Sequence, residues 1–218
     1  MANIIEKYIE TNGQLIIAIS GFSGIGKNKI AKQLSKDTKL EVISLANYAK
    51  KDYMNIIELT SGTKINNHDN FNYYDWDKFN KDVNDKKRNG LIIIGIGFPN
   101  DNLEFKIDYH IMVRAPKQLL FEFRHNYIVK HKDKLGDLLK IIDTPDEKQL
   151  VNSITYPFYL NIPQISKIDK FYNITKMDEE IYDDLYDNVI KFIMKNVYNN
   201  RSDIRWNENT NDFEYVSQ

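Results

Sequence analysis

The stretch "QLIIAISGFSGIGKNK" (14–29) constrains this chain more than any other part of it. Its first half is a continuous β-branched run, as in a strand buried on both faces of a parallel sheet. Its second half is glycine-rich and reaches a lysine as a helical pattern begins: "KNKIAKQLSKDT" sets Ile30, Ala31 and Leu34 on one helical face. Strand, glycine loop and helix in that order are the context in which Gly21, Gly24, Gly26 and Lys27 form a phosphate-binding loop. Glycines let backbone N–H groups converge on one anion. The helix N-terminus adds a partial positive charge and the lysine a mobile full one. The expected cradle is Gly21, Ser23, Gly24, Ile25, Gly26, Lys27 and Asn28. The plainer alternative is a strand-to-helix turn with a solvated lysine. In the usual pattern a serine or threonine follows the lysine and ligates magnesium. Here that position, and with it the candidate metal ligand, is Asn28, whose amide oxygen is neutral and weaker.

Strand and helix patterns alternate along the rest of the chain. "LEVISL", "LIIIGIGF", "YHIMV" and "KFYNI" read as a second to fifth strand. Between them, Trp76, Phe79 and Val83 recur at helical spacing, with Asn89-Gly90 as a helix end. "APKQLLFEFRHNYI" opens near Pro116 and aligns Leu119, Leu120, Phe123 and Tyr127. "TPDEKQL" is a helix start with Thr144 as cap, Pro145 at the first position and Glu147 completing a capping box. "MDEEIYDDLYDNVIKFIMKNVY" is a final amphipathic helix. The pattern predicts a three-layer α/β domain over residues 1–198, with a parallel sheet of about five strands flanked by helices. Residues 199–218 are polar and aperiodic and read as a flexible tail.

Composition narrows the function classes. With 42% apolar and 28% charged residues in 218, the chain has enough apolar material for a buried α/β core. A net charge of −1 argues against a broad nucleic-acid footprint. No cysteine is present, which removes disulfides and thiolate metal sites and fits a cytoplasmic setting. No apolar run approaches the ~20 residues of a membrane span, and "MANIIEKYIETNG" lacks the features of a secretory signal.

From Gln14 to about Thr175 the chain resembles the P-loop nucleoside kinases of the uridine kinase and nicotinamide riboside kinase group. The loop and "NYYDWDKF" are its better landmarks; "VISLANYAKKD" resembles the second strand and catalytic turn, and "SITYPFYLNIPQ" the segment after the lid. The resemblance implies ATP and Mg²⁺ as cofactors, a nucleoside as acceptor, transfer of phosphate to a ribose 5′-hydroxyl, and a lid over about 125–150. It implies that Asp75 receives ribose hydroxyls, that Tyr74 flanks the sugar, that Arg124 is the lid arginine and Tyr127 the base-stacking aromatic. A single carboxylate accepting two vicinal hydroxyls is chemically sound. The same Asp75 reads equally well as a helix N-cap. His125 is ambiguous by register. Lys130, Lys132 and Lys134 fit either lid contacts to phosphate or a solvated charge run.

Three departures from the family pattern coincide. Asn28 replaces the metal-binding hydroxyl, Ala46 (beside Asn47) stands where the family carries its general-base aspartate, and Ile94 before Gly95 stands where it carries a glutamate. Each removes a charge or a metal ligand. Asp69 and Asp52 are the candidate replacements if their loops fold inward. A missing general base costs about 10²–10⁴ in rate, while phosphoryl transfer leans largely on positioning and charge neutralisation. Phosphate binding with weak or lost catalysis follows, with a non-catalytic nucleotide-binding or interaction module as the alternative.

Overall fold

The structure is a computed structural model that describes residues 2–176, 178–199, 204–207 and 212–215. Its elements in chain order are α1 (Ala2–Asn12), β1 (Ile16–Gly21), α2 (Lys27–Thr38), β2 (Glu41–Ser44), β3 (Ile56–Glu58), β4 (Lys64–Asn66), α3 (Trp76–Lys86) and β5 (Leu91–Gly95). There follow β6 (Tyr109–Arg114), α4 (Lys117–Lys130), α5 (Lys132–Leu139), α6 (Pro145–Leu150), α7 (Tyr156–Ile165), β7 (Lys170–Asn173), α8 (Glu179–Asn199), β8 (Ile204–Asn207) and β9 (Asp212–Tyr215).

The five long-range strands form one parallel sheet in the order β2-β5-β1-β6-β7. β1 lies at its centre with all six residues buried, as an unbroken apolar run requires. Helices cover both faces. Ile5, Ile30, Leu34, Val189 and Ile193 of α1, α2 and α8 pack on one face against Ile17, Ile19, Ile92 and Ile111. Trp76, Phe79 and Val83 of α3 pack on the other against Ile16, Ala18, Leu91 and Ile93. This is the three-layer architecture of P-loop kinases.

Several elements differ from the expectation. β2 is an edge strand, so Glu41 is exposed and only Ile43 within it is fully buried. The α3 helix tightens into a 3₁₀ turn, Lys87–Asn89, before Gly90 reverses the chain at φ 77°. The N-terminal segment is helical and docks through Ile5 and Tyr8, and residues 204–207 pair antiparallel with 212–215 inside the stretch read as an aperiodic tail; the remaining residues of that stretch beyond Asn199 lie outside the described ones. Two short strands, β3 and β4, also form a hairpin. Its Leu59 and Ile65 share a small core with Ile128, Leu138, Ile141 and Leu150 from α4 to α6. Ser61 and Thr60 add hydrogen bonds to Asp146 and Gln149, joining the hairpin to those helices. At α6 Thr144 caps Glu147 N–H at 3.4 Å, while the Glu147 carboxylate reaches back one residue beyond the cap, to Asp143 N–H.

Candidate functional site

The loop 21–28 leaves the carboxyl end of β1, where a doubly wound sheet presents its ligand crevice. Gly26 stands at the N-cap of α2 with φ 93°, and no side chain caps that helix, so its first N–H groups are available to an anion. Three of the loop glycines are required by packing: a Cβ at Gly21 (φ 147°) would lie 2.4 Å from the Val113 carbonyl of β6. A Cβ at Gly24 (φ 85°) would lie 2.4 Å from the Phe123 carbonyl of α4, and one at Gly26 would lie 2.1 Å from the Tyr182 ring of α8. The loop is thus clamped between α4 and α8. Ile25 is buried beneath it, whereas Gly24 and Asn28 are exposed at its mouth.

Lys27 is folded onto its own loop. Its Nζ donates to the carbonyls of Gly21 and Phe22 at 2.7 Å each. Loss of water around the ammonium pushes its pKa down to about 7. Beside the loop opens a cavity of about 350 Å³. It is lined by Ser23, Gly24, Gly26, Lys27, Asn28 and Lys29 from the loop, by Ser44 and Ala46 after β2, by Ile94–Ile96 at the end of β5, and by Tyr74, Asn126, Tyr127, Lys130 and His131.

The two departures outside the loop therefore face this cavity: Ala46 and Ile94 both form part of its wall. Among the described residues no carboxylate does. Asp69 is engaged elsewhere, accepting from Thr155 Oγ1 at 2.5 Å and pairing with Arg124 Nη1 at 3.7 Å. Asp52 is exposed and lines a neighbouring cleft together with Asn47, Lys50, Lys51 and Asp75. Asp75 caps α3, its carboxylate accepting from Lys78 N–H at 3.1 Å, while its own N–H donates to the Tyr48 carbonyl at 2.8 Å.

Of the residues marked by the sequence, Tyr74 and Tyr127 line the cavity with the loop. Burial first, and then the nearby Asp69, Tyr127 and Tyr73, push the Tyr74 phenol well above its ordinary pKa, so it is a neutral donor. Arg124 is buried beside Asp69, with its Nε lacking a hydrogen-bond partner, and does not line the cavity wall. His125 turns toward Asp143, with Nδ1 3.8 Å from the carboxylate. Lys130 lines the cavity, Lys132 is exposed outside it, and the Lys134 side chain lies outside the described residues.

Sequence reading missed Lys29, Ser44, Asn126, His131 and Tyr182. His131 had a recoverable signal, since it follows Tyr127 at helical i,i+4 spacing; their rings are 4.5 Å apart. Tyr182, five elements downstream, had none. Its ring also receives Lys29 Nζ at 5.2 Å, a cation–π contact. Directly behind the loop, Ser20 Oγ meets His110 Nε2 at 2.7 Å and the Lys167 carbonyl meets His110 Nδ1 at 2.8 Å. Burial drives this histidine's pKa down to about 4, against smaller opposing effects of the Lys167 carbonyl and Asp169.

Magnesium does not fit the donor set of this cavity. It prefers near-octahedral oxygen ligation with one or two carboxylates besides phosphate. The cavity offers the Asn28 and Asn126 amides and the Ser23, Ser44, Tyr74 and Tyr127 hydroxyls, and among the described residues no carboxylate. Among the described residues no cluster of three His, Cys, Asp or Glu side chains could hold a metal, and no helix is long and apolar enough to cross a membrane.

No family model matches the chain, and no curated protein matches it. Solved structures do. An uncharacterized protein from Eubacterium ventriosum aligns with 83% of this chain and 98% of its own, at 19% identity and a TM-score of 0.40. A possible uridine kinase from Bacillus stearothermophilus aligns over 78% and 97%, at 13% identity and a TM-score of 0.44. Shikimate kinase from Bacteroides thetaiotaomicron aligns over 83% and 99%, at 15% identity and a TM-score of 0.42. At these scores no residue role passes from them to this chain.

Proposed function

We propose that this chain binds the phosphates of a nucleotide, ATP or ADP, at the loop Gly21–Asn28, and that phosphoryl transfer to a nucleoside is lost or very slow. The observation that carries the reading is the charge distribution of one cavity. Among the described residues its wall bears Lys27, Lys29, Lys130 and His131 and no carboxylate, with Ala46 and Ile94 where the resemblance to nucleoside kinases implies acids. Cations and backbone N–H groups are what a polyphosphate requires. A general base is what an attacking hydroxyl requires. The first set is present; of the second, no carboxylate lines the wall among the described residues, and the one imidazole there is that of His131.

A second reading keeps the acceptor. Tyr74 and Tyr127 line the cavity with the loop, and an aromatic wall suits a nucleoside base or sugar. On that reading uridine, cytidine or nicotinamide riboside binds beside ATP with residual transfer to its 5′-hydroxyl. The Asp75 side chain, engaged in capping α3, would have to exchange that bond for ribose hydroxyls.

Thermal shift with ATP, ADP and pyrophosphate tests the first reading. Stabilisation should appear with each ligand at millimolar concentration, since ligand at 100 times Kd adds about 2.7 kcal/mol. It should fall by on the order of 100-fold in apparent affinity in Lys27→Ala, the loss expected from a charge-assisted hydrogen bond worth about 1.5–3 kcal/mol. No stabilisation by any of the three would remove the nucleotide reading.

A further inference from the structure

We infer that this cavity takes its nucleotide free of metal, so that ATP without magnesium binds at least as tightly as the magnesium complex. The inference rests on the nucleotide reading above and specifies the chemical form of the ligand. Its basis is the balance of charge around the loop. A magnesium-dependent phosphate site divides the neutralising charge between the ion and a loop lysine, and holds the ion through the hydroxyl that follows that lysine and through carboxylates, directly or by water. Here that hydroxyl is replaced and, among the described residues, no carboxylate lines the wall. Asn28 offers a neutral amide, Ser23 and Ser44 offer neutral hydroxyls, and Ala46 and Ile94 offer no oxygen from their side chains.

The carboxylates that the sequence singled out do not line this wall. Asp69 is held by Thr155 and Arg124, Asp75 by the Lys78 N–H, and Asp52 belongs to the adjoining cleft. Both contacts of Asp69 are to its Oδ2. What the wall supplies in place of the ion is side-chain cation. Lys27 and Lys29 come from the loop and the start of α2, with Lys29 Nζ also over the Tyr182 ring, and Lys130 comes from the end of α4; all three line the space.

Magnesium in such a space would meet lysines without a protein anion to offset its charge. It would also cancel much of the negative charge on the phosphates to which those lysines respond. Both effects favour the free polyphosphate over its magnesium complex. The prediction extends to Lys130, which lines the space from α4 and not from the loop: it acts on phosphates beyond the cradle, whereas the loop N–H groups act on whichever phosphate sits in it.

Isothermal titration of the full chain with ATP, in excess EDTA and in excess magnesium chloride at matched ionic strength, decides the matter. Binding in EDTA should be equal or several-fold tighter, with the same order for pyrophosphate. Lys130→Gln, an exposed position with no core packing, should weaken binding in EDTA more than in magnesium and narrow the difference. Binding that tightens tenfold or more with magnesium overturns the inference while leaving the nucleotide reading intact. No binding in either buffer overturns the nucleotide reading and the inference together. A difference between buffers that Lys130→Gln leaves unchanged overturns the assignment of the compensating charge to that side of the cavity.

Discussion

The loop after β1 and the turn after β2 look into the same cavity, yet only the loop carries charge toward it. On the loop side stand Lys27, Lys29 and a helix N-terminus without a side-chain cap. On the turn side stand Ser44 and Ala46, and at the end of β5, between the two, Ile94. On the proposed reading, binding a phosphate and transferring one are separable demands on this architecture. Binding uses backbone geometry that the fold itself supplies, because β1, the tight turn and α2 must exist for the domain to pack. Transfer uses side chains that the fold does not need, and an alanine in the turn leaves the core unchanged.

The largest test of that contrast concerns the carboxylate best placed to blur it. If Asp69 is a structural partner of Arg124 and not a hidden base, Asp69→Asn leaves a buried guanidinium without its counter-ion and should cost about 3–5 kcal/mol. Chemical denaturation measures this. Full stability together with a fall in nucleoside-dependent ATP turnover would move Asp69 into the working machinery of the cavity.

The support beneath the loop gives the next effect. His110 is buried as a neutral ring against Ser20 with a pKa of about 4, below its ordinary 6.5. The unfolded chain therefore binds the extra proton first, and stability falls as pH drops from 6.5 toward 4. The loss should be on the order of 3 kcal/mol across that window, read from denaturation midpoints. His110→Gln should flatten the slope. An unchanged slope would separate the loop's support from this pair.

How much of this was legible in the sequence follows the same division. β1, the loop and α2 were readable because an apolar run, spaced glycines and a 3.6-residue stripe are local signals. Thr144, Pro145 and Glu147 announced α6 for the same reason. The hairpin of β3 and β4 was missed because three-residue strands with mixed exposure give almost no periodicity. Arg124 carries no local mark of burial; only the arrival of Asp69 and Thr155, from distant parts of the chain, makes its position intelligible. Asp75 admitted two readings from its neighbours alone, and the bond to Lys78 N–H is the capping one. Tyr182 covers Gly26 from α8, a contact that no spacing near the loop encodes.

The smallest expected effect belongs to the loop lysine. With its pKa near 7 in the free protein, Lys27 is partly neutral above that pH, and a bound polyphosphate favours the charged form. ATP affinity should therefore fall as pH rises from 7.5 to 9, by up to about tenfold per unit, or ~1.4 kcal/mol. Titration calorimetry in buffers of different ionisation enthalpy should register proton uptake on binding. A flat profile would mean that burial does not depress this ammonium.

The most direct test of the central claim is nucleoside-dependent ADP release by the unmodified chain at saturating ATP and magnesium, with uridine, cytidine and nicotinamide riboside as acceptors. A cavity that keeps its cations and lacks its acids should release no more ADP than the Lys27→Ala variant does. Sustained turnover that disappears in Lys27→Ala would contradict the account, and would mean that the missing negative charge is supplied by a group outside the cavity wall or by the substrate itself.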